Sequence, residues 1–361
     1  MFWELTRACM LACKHCRAKA IKNRHPNELT TEECFDLIDQ ISKLKPLLII
    51  TGGDPMMRDD LEDIVDYASQ SLRVAVAFSG TKLANEDRLK ALKKAGVHRI
   101  AISIDGSNAE KHDGFRGVKG SFHDSLNVIK TAKKLGIEFQ INTTVTKENI
   151  YDLPNIAKLC SELEPALWDV FFLVPVGRAK AELMPNPQEF EDILCWLYDL
   201  NEMGLRVKSS AATHFRRIRI MRKKGEMPRV GDLYDWLREN TSIKVTESSE
   251  IDAKHKPKVG VTDGRGMLFI SHIGDVYPSG FLPIKAGNVR EQSVKEIYEK
   301  SKIFVDLKDP NNLRGKCGVC EYRFICGGSR ARAYALTGDY LQAEPCCIYR
   351  PSALVEDKIR Q

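Results

Sequence analysis

Apolar and polar positions along the first 200 residues follow two alternating periods. Short runs rich in β-branched and aromatic residues fall at 2–6, 47–51, 73–78, 99–104, 138–145 and 168–174 and predict strands. Between them, stretches with a 3.6-residue apolar period at 31–44, 60–69, 86–95, 122–135, 153–163 and 187–202 predict amphipathic helices. The punctuation agrees. Gly96 and Gly136 follow helical stretches, and Thr30 with Glu33 makes a capping box at the start of the first helix. Strand–helix units in series imply a parallel sheet with right-handed crossovers. The fold class is therefore α/β, and six units suit a partial (βα)6 TIM-like barrel over 1–204 better than a closed barrel of eight.

The rhythm breaks near residue 205. Residues 205–265 read as a basic linker or insert, opened by the run His214-Phe-Arg-Arg-Ile-Arg-Ile-Met-Arg-Lys-Lys224 and continued by a polar stretch through 258. The basic run is expected to be a solvated helix face or a contact for an anionic substrate or partner. A second unit, 266–361, begins with a hairpin at 267–271 and 275–277 around Ile273-Gly274, followed by a helix at 294–300 and a cluster of cysteines. No internal repeat is visible beyond the strand–helix period.

Composition narrows the class. A chain of 361 residues with 43% apolar content can bury a barrel core and an appendage. Fifty-five basic against forty-nine acidic residues leave a net charge of +6, too balanced to mark a nucleic-acid or membrane protein. No apolar run approaches the ~20 residues of a bilayer span, and no secretory leader opens the chain, so a cytoplasmic location is expected. Eleven cysteines then need a reason, because cytosolic thiols are kept reduced. Cys34, Cys160 and Cys195 fall inside helical patterns and read as small hydrophobes. The other eight cluster at the two ends of the chain, which points to metal.

Cys9-Met-Leu-Ala-Cys13-Lys-His-Cys16 follows the first strand directly, at the end of the barrel where function gathers. Three thiolates leave one iron of a four-iron cluster without a protein ligand, the open position a catalytic metal site requires. Zinc would need a fourth ligand such as His15, and so short a loop closes a tetrahedron poorly. Cys317-Gly-Val-Cys320-Glu-Tyr-Arg-Phe-Ile-Cys326 with Cys346-Cys347 supplies enough thiolates for a closed site, but spacing alone does not separate zinc from iron.

These motifs resemble the radical S-adenosylmethionine (SAM) superfamily, whose signature is three cysteines spaced as Cys9, Cys13 and Cys16 are. The resemblance implies a [4Fe-4S] cluster whose open iron is chelated by SAM. His15 stands where the family flanks the adenine. Thr51-Gly52-Gly53-Asp54-Pro55 looks like the family's Gly-Gly-Glu-Pro motif for the SAM amino group, with Asp54 in place of Glu. Ser103 and Asp105 in Ile-Ser-Ile-Asp-Gly, then Asn142 and Thr144, end successive strands where relatives bind the ribose and carboxylate of SAM. The segment from Gly287-Asn288 through Cys317, Cys320, Cys326, Gly338-Asp339 and Glu344-Pro-Cys-Cys347 is similar to SPASM/twitch-type extensions, which carry auxiliary iron-sulfur clusters. Full members add cysteines where this chain has Ser279 and Ser329, so one auxiliary cluster is expected, with Cys347 rather than Cys346 as its fourth ligand.

What the resemblance implies is reductive cleavage of SAM to a 5′-deoxyadenosyl radical, hydrogen abstraction from a substrate, and a low-potential donor such as ferredoxin or flavodoxin. Beyond the cluster and SAM, no side-chain acid or base is required. Within the superfamily, Trp3-Glu-Leu-Thr-Arg-Ala-Cys9 and Cys326-Gly-Gly-Ser-Arg-Ala-Arg-Ala-Tyr-Ala-Leu-Thr-Gly-Asp-Tyr most resemble the haem-biosynthesis branch of Fe-coproporphyrin III decarboxylases and haem d1 enzymes. A tetrapyrrole with several carboxylates should meet Arg116, Arg178, Arg330 and Arg332, since Arg binds carboxylates bidentately; a structural role at the barrel rim is the competing reading for the first two. The alternative enzyme is a SPASM-type maturase of a ribosomal peptide or protein. Such enzymes often carry a winged-helix domain ahead of the barrel, whereas this chain opens at the first strand, which favours the tetrapyrrole.

Overall fold

The computed structural model describes residues 1–244 and 260–354. The strand–helix alternation is realised almost as patterned. The first half runs β1 (Phe2–Thr6), α1 (Thr31–Ser42), β2 (Leu47–Gly52), α2 (Leu61–Ser69), β3 (Arg73–Ala77), α3 (Glu86–Lys94), β4 (Arg99–Ser103), α4 (Ala109–Arg116), α5 (Ser121–Leu135) and β5 (Phe139–Val145). It continues through α6 (Leu153–Leu163), β6 (Leu167–Phe172), α7 (Pro187–Glu202), β7 (Val207–Ser210), α8 (Phe215–Lys223) and α9 (Asp232–Glu239). After the undescribed residues come β8 (Phe269–Ile270), β9 (Asp275–Tyr277), β10 (Gly287–Asn288), α10 (Val294–Lys300), α11 (Lys302–Lys308), α12 (Gly315–Gly318) and α13 (Arg330–Thr337). Thr30 and Glu33 do form a capping box on α1.

The strands order as β10-β9-β8-β1-β2-β3-β4-β5-β6-β7, parallel from β8 to β7 and antiparallel through β8, β9 and β10. Alternation along each strand divides two environments. Ile50, Val74, Ile102 and Ile141 are fully buried in the core with residues from the surrounding helices. Their neighbours of opposite parity, among them Ala75, Ala77 and Ala101, line a hollow in the barrel.

Residues 205–240 are not a linker. β7 pairs in parallel with β6, Trp168 opposite Val207 and Phe171 opposite Ser210. Val-Lys-Ser-Ser carries one apolar residue, and a strand held by a neighbour's ladder needs no long apolar run of its own. The basic run forms α8, whose Arg217 is buried and paired with Glu191 at 2.5 Å, while Arg222 pairs with Asp199. The polar stretch of 245–258 lies outside the described residues. The boundary near 266 does not divide sheets either, because β8 adds directly to β1. No described helix is long and apolar enough to cross a membrane.

Candidate radical SAM site and auxiliary cluster site

The loop after β1 is seated from three sides by backbone contacts. Gly53 N and Asp54 N, at the end of β2, donate to Thr6 O and Ala8 O at 2.8 and 2.7 Å. A Cβ at Gly53 would stand 2.4 Å from Ala8 O, so this glycine allows the strand end to meet the cysteine loop. From a second side, Ala12 N and Lys14 N donate to the last carbonyls of α4. From the third, Arg178 N donates to Cys16 O at 3.0 Å, and Gly177, at φ +68°, would bring a Cβ within 2.4 Å of that carbonyl.

Cys9, Cys13 and Cys16 line one cavity of about 210 Å³ with His15, Thr51, Gly52, Gly53, Ser79, Ser103, Asn142, Thr144 and Arg178. Each sulfur accepts from nitrogen: Cys9 Sγ from Leu11 N at 3.3 Å, Cys16 Sγ from Ala20 N at 3.4 Å, and Cys13 Sγ from Arg116 Nη1 at 3.6 Å. Burial pushes the Cys9 thiol up to about 11. Among the described residues no three His, Cys, Asp or Glu side chains converge as on a single ion. A four-iron cluster, with each thiolate on a different iron, does not ask for that convergence. His15 lies flat on Phe115 with centroids 4.4 Å apart, and its buried Nδ1 has no hydrogen-bond partner. Arg178 likewise keeps Nε and Nη2 buried and unpartnered. Three nitrogen-supported thiols and orphaned polar atoms around one cavity fit an iron-sulfur cluster with a polar ligand on it.

Several anticipated residues stand elsewhere. Asp54 is turned away from the cavity: its Oδ1 accepts from Met56 N and its Oδ2 from Thr81 Oγ1, both at 3.1 Å, and burial raises its pKa. Being one carbon shorter than Glu, it caps the short helix that follows the motif. Asp105 is also buried behind the wall, paired with Arg116 at 2.5 Å and accepting from Thr144 N at 2.6 Å. Arg116 lines the same cavity but is held between Asp105 and Cys13, which makes it a support for the cluster loop, and its Nε is left without a partner. Arg330 too is structural, donating to Tyr340 O and Gln342 O at 3.1 and 2.6 Å. Sequence reasoning missed Ser79, whose Oγ donates to Gly53 O and lies 3.4 Å from Cys9 Sγ. It missed Arg17 as well, held by Glu4 at 3.0 Å. A carboxylate at an inward position of an apolar strand was the available signal for that pair.

A larger cavity of about 380 Å³ fills the barrel lumen. Arg17, Thr51, Asn142, Phe171 and Phe281 line both cavities, so the two are adjoining chambers. Ala75, Ala77 and Ala101 leave the space, and Phe269, Ser279 and Phe281 of the C-terminal unit wall it. In the lumen Lys208 and Ser210 hold Asp169 Oδ2 at 2.9 and 3.0 Å.

Cys317, Cys320, Cys326 and Cys347 line a third, smaller cavity, whereas Cys346 belongs to the hydrophobic core. Cys317 Sγ accepts from Glu344 N at 3.3 Å and Cys326 Sγ from Gly328 N at 3.5 Å. Burial pushes Cys320 and Cys347 up to about 12. Ser329 caps α13 through its Oγ, and Ser279 faces the lumen. Neither serine lines the thiol cavity.

Comparison with known proteins matches these features in order. Residues 3–160 match the Radical SAM superfamily and residues 262–321 the SPASM iron-sulfur cluster-binding domain. An "AdoMet-dependent heme synthase" of Methanosarcina barkeri is 42% identical over 97% of this chain and 96% of its own. This chain belongs to the radical SAM superfamily. A "Pre-heme d1 synthase" of Dinoroseobacter shibae is 29% identical over 96% of the chain and 85% of its own. Among solved structures, anSMEcpe with bound AdoMet superposes with a TM-score of 0.68 at 17% identity, over 96% of this chain and 93% of that one. Streptococcus suis SuiB bound to S-adenosylmethionine gives 0.68 at 14%, over 96% and 76%. The fold is thus that of SAM-binding enzymes with a SPASM unit, and SAM and iron-sulfur clusters are the cofactors of this enzyme.

Proposed function

We propose that this enzyme converts propionate side chains of an iron porphyrin, Fe-coproporphyrin III, into vinyl groups. The observation that carries the reading is 42% identity, across nearly the full length of both chains, to a relative named for haem synthesis. Once bound, the cluster and SAM would supply a 5′-deoxyadenosyl radical for hydrogen abstraction. In this reading Cys9, Cys13 and Cys16 hold the cluster; His15, Gly52, Gly53, Ser103, Asn142 and Thr144 wall the SAM chamber; and Asp105 acts indirectly by fixing Thr144 and Arg116. The lumen takes the substrate. Its hollow adjoins the radical chamber, and the free nitrogens of Arg178, with Arg17 and Lys208 beside their partners Glu4 and Asp169, offer cations to the substrate's carboxylates. Removing a hydrogen atom from the propionate carbon next to the ring, then releasing carbon dioxide and one electron, leaves the vinyl group. Cys317, Cys320, Cys326 and Cys347 would hold one auxiliary cluster as the acceptor of that electron.

A ferredoxin or flavodoxin in the cytoplasm would supply the reducing electron. The peptide-maturase alternative has less support, since the "Mycofactocin maturase MftC" of Mycolicibacterium smegmatis is 28% identical. The test is anaerobic reconstitution with iron and sulfide, then SAM, dithionite and Fe-coproporphyrin III, following 5′-deoxyadenosine and porphyrin mass together. Decarboxylated porphyrin in step with deoxyadenosine is expected; deoxyadenosine with unchanged porphyrin would refute the substrate.

A further inference from the structure

His214 is fully buried, lines the cavity of Cys317, Cys320, Cys326 and Cys347, and finds no hydrogen-bond partner for either ring nitrogen among the described residues. An imidazole left so has lost its hydrogen bonds to water with nothing in return, a penalty that a ligand in the cavity would remove. The other polar groups of the cavity wall are at least partly engaged. Arg217 Nη2 donates to both oxygens of Glu191, Lys316 donates to Cys347 O, and Arg323 donates to Cys320 O at 3.3 Å. The ring is also fixed in place, stacked on Phe190 with centroids 6.0 Å apart and 27° between planes. Phe190 in turn packs against Phe172 at 4.8 Å, and Phe172 lines the SAM chamber. His214 therefore ends a chain of aromatic contacts that begins at the wall of the SAM chamber.

We propose that His214 donates a hydrogen bond to the auxiliary iron-sulfur cluster and sets the potential at which that cluster takes the substrate's electron. The inference rests on the auxiliary-cluster reading above. A neutral imidazole carries one N–H, and a hydrogen bond to cluster or thiolate sulfur favours the reduced, more negative state, which raises the potential. Phe at this position keeps the contact with Phe190 and removes the donor.

The test uses protein in which Cys9, Cys13 and Cys16 are all alanine, so that only the auxiliary cluster can assemble. Iron and sulfide are counted, and the cluster is titrated electrochemically with detection by electron paramagnetic resonance. His214→Phe should retain iron and shift the reduction equilibrium about tenfold toward the oxidised state, 59 mV for one electron. Either His214→Asn or His214→Gln, whichever places its amide N–H nearest the lost donor, should restore the potential. An unchanged potential and spectrum in His214→Phe would overturn the proposal. If Phe prevents assembly, the two amide variants decide: unequal potentials, one matching the parent, support the donor, and equal ones refute it. Loss of iron in all three variants would make the imidazole a ligand or a folding element and also refute the donor. No iron in the parent carrying His214 would sink the auxiliary-cluster reading itself.

Discussion

At the residue scale, what a side chain does was decided by which way it points. Asp54 and Arg178 sit in comparable rim loops, yet Asp54 has both oxygens engaged, one by Met56 N of its own turn and one by Thr81 Oγ1, while Arg178 keeps two buried nitrogens free. Arg178→Ala should therefore raise the SAM or porphyrin concentration needed for half-maximal turnover about tenfold, the equivalent of ~1.4 kcal/mol for one charge-assisted hydrogen bond. Initial rates against each substrate in turn will show which one Arg178 meets, and unchanged half-saturation for both would remove it from the site. The adjacent Cys346 and Cys347 make a sharper contrast. Cys347→Ser should lose the auxiliary iron, whereas Cys346→Ser should keep it and lose about 1–2 kcal/mol of stability from a hydroxyl placed in the core. Iron counts on the two variants check this directly.

At the element scale, the strands make two surfaces from one sequence. Their outward residues are large and β-branched because the helices cover them, and their inward residues on β3 and β4 shrink to alanine where the lumen opens. Ala101→Leu should fill part of that lumen without disturbing the cysteine loop. Thermal stability should hold or rise, deoxyadenosine should still form, and porphyrin conversion should fall at least tenfold; parallel loss of both products would place the lumen outside the substrate path. The pattern of inward alanines is visible in the sequence. Its meaning is not, since a small residue in a strand reads equally as tight packing or as empty space.

At the scale of the whole molecule, Arg332 ties the two units together. It is fully buried, pairs with Glu344 at 3.2 Å and donates to the carbonyls of Phe172, Leu173 and Ala211. Arg332→Met would leave those carbonyls and the carboxylate short of a donor, at a cost of about 3 kcal/mol, seen as a lower melting temperature. Acid should act on the fold as well. Burial, with the charge of Arg116, lowers His112 to about 4, so the folded protein binds fewer protons than the unfolded chain between pH 6.5 and about 4. Stability is then retained above that window and lost as pH falls through it, by ~1.4 kcal/mol per pH unit for this group. Denaturant midpoints of metal-free protein at pH 7 and pH 5 should differ in that direction, and His112→Gln should flatten the dependence.

The sequence by itself determined the α/β alternation, the six barrel strands, the capping box at Thr30 and Glu33, and both cysteine clusters. Each rests on short-range periodicity or on spacings within one loop, and such signals survive without knowledge of what lies opposite. Only the tertiary structure decided the rest. β7 needed its neighbour's ladder, since four residues with one apolar member announce nothing. Arg116 and Arg330 became supports, and Arg178 kept free nitrogens, because burial and partners come from distant elements. The isolation of His214 beside the second set of thiols depends on α7, α8 and the C-terminal loops meeting in space, and no spacing along the chain encodes that meeting.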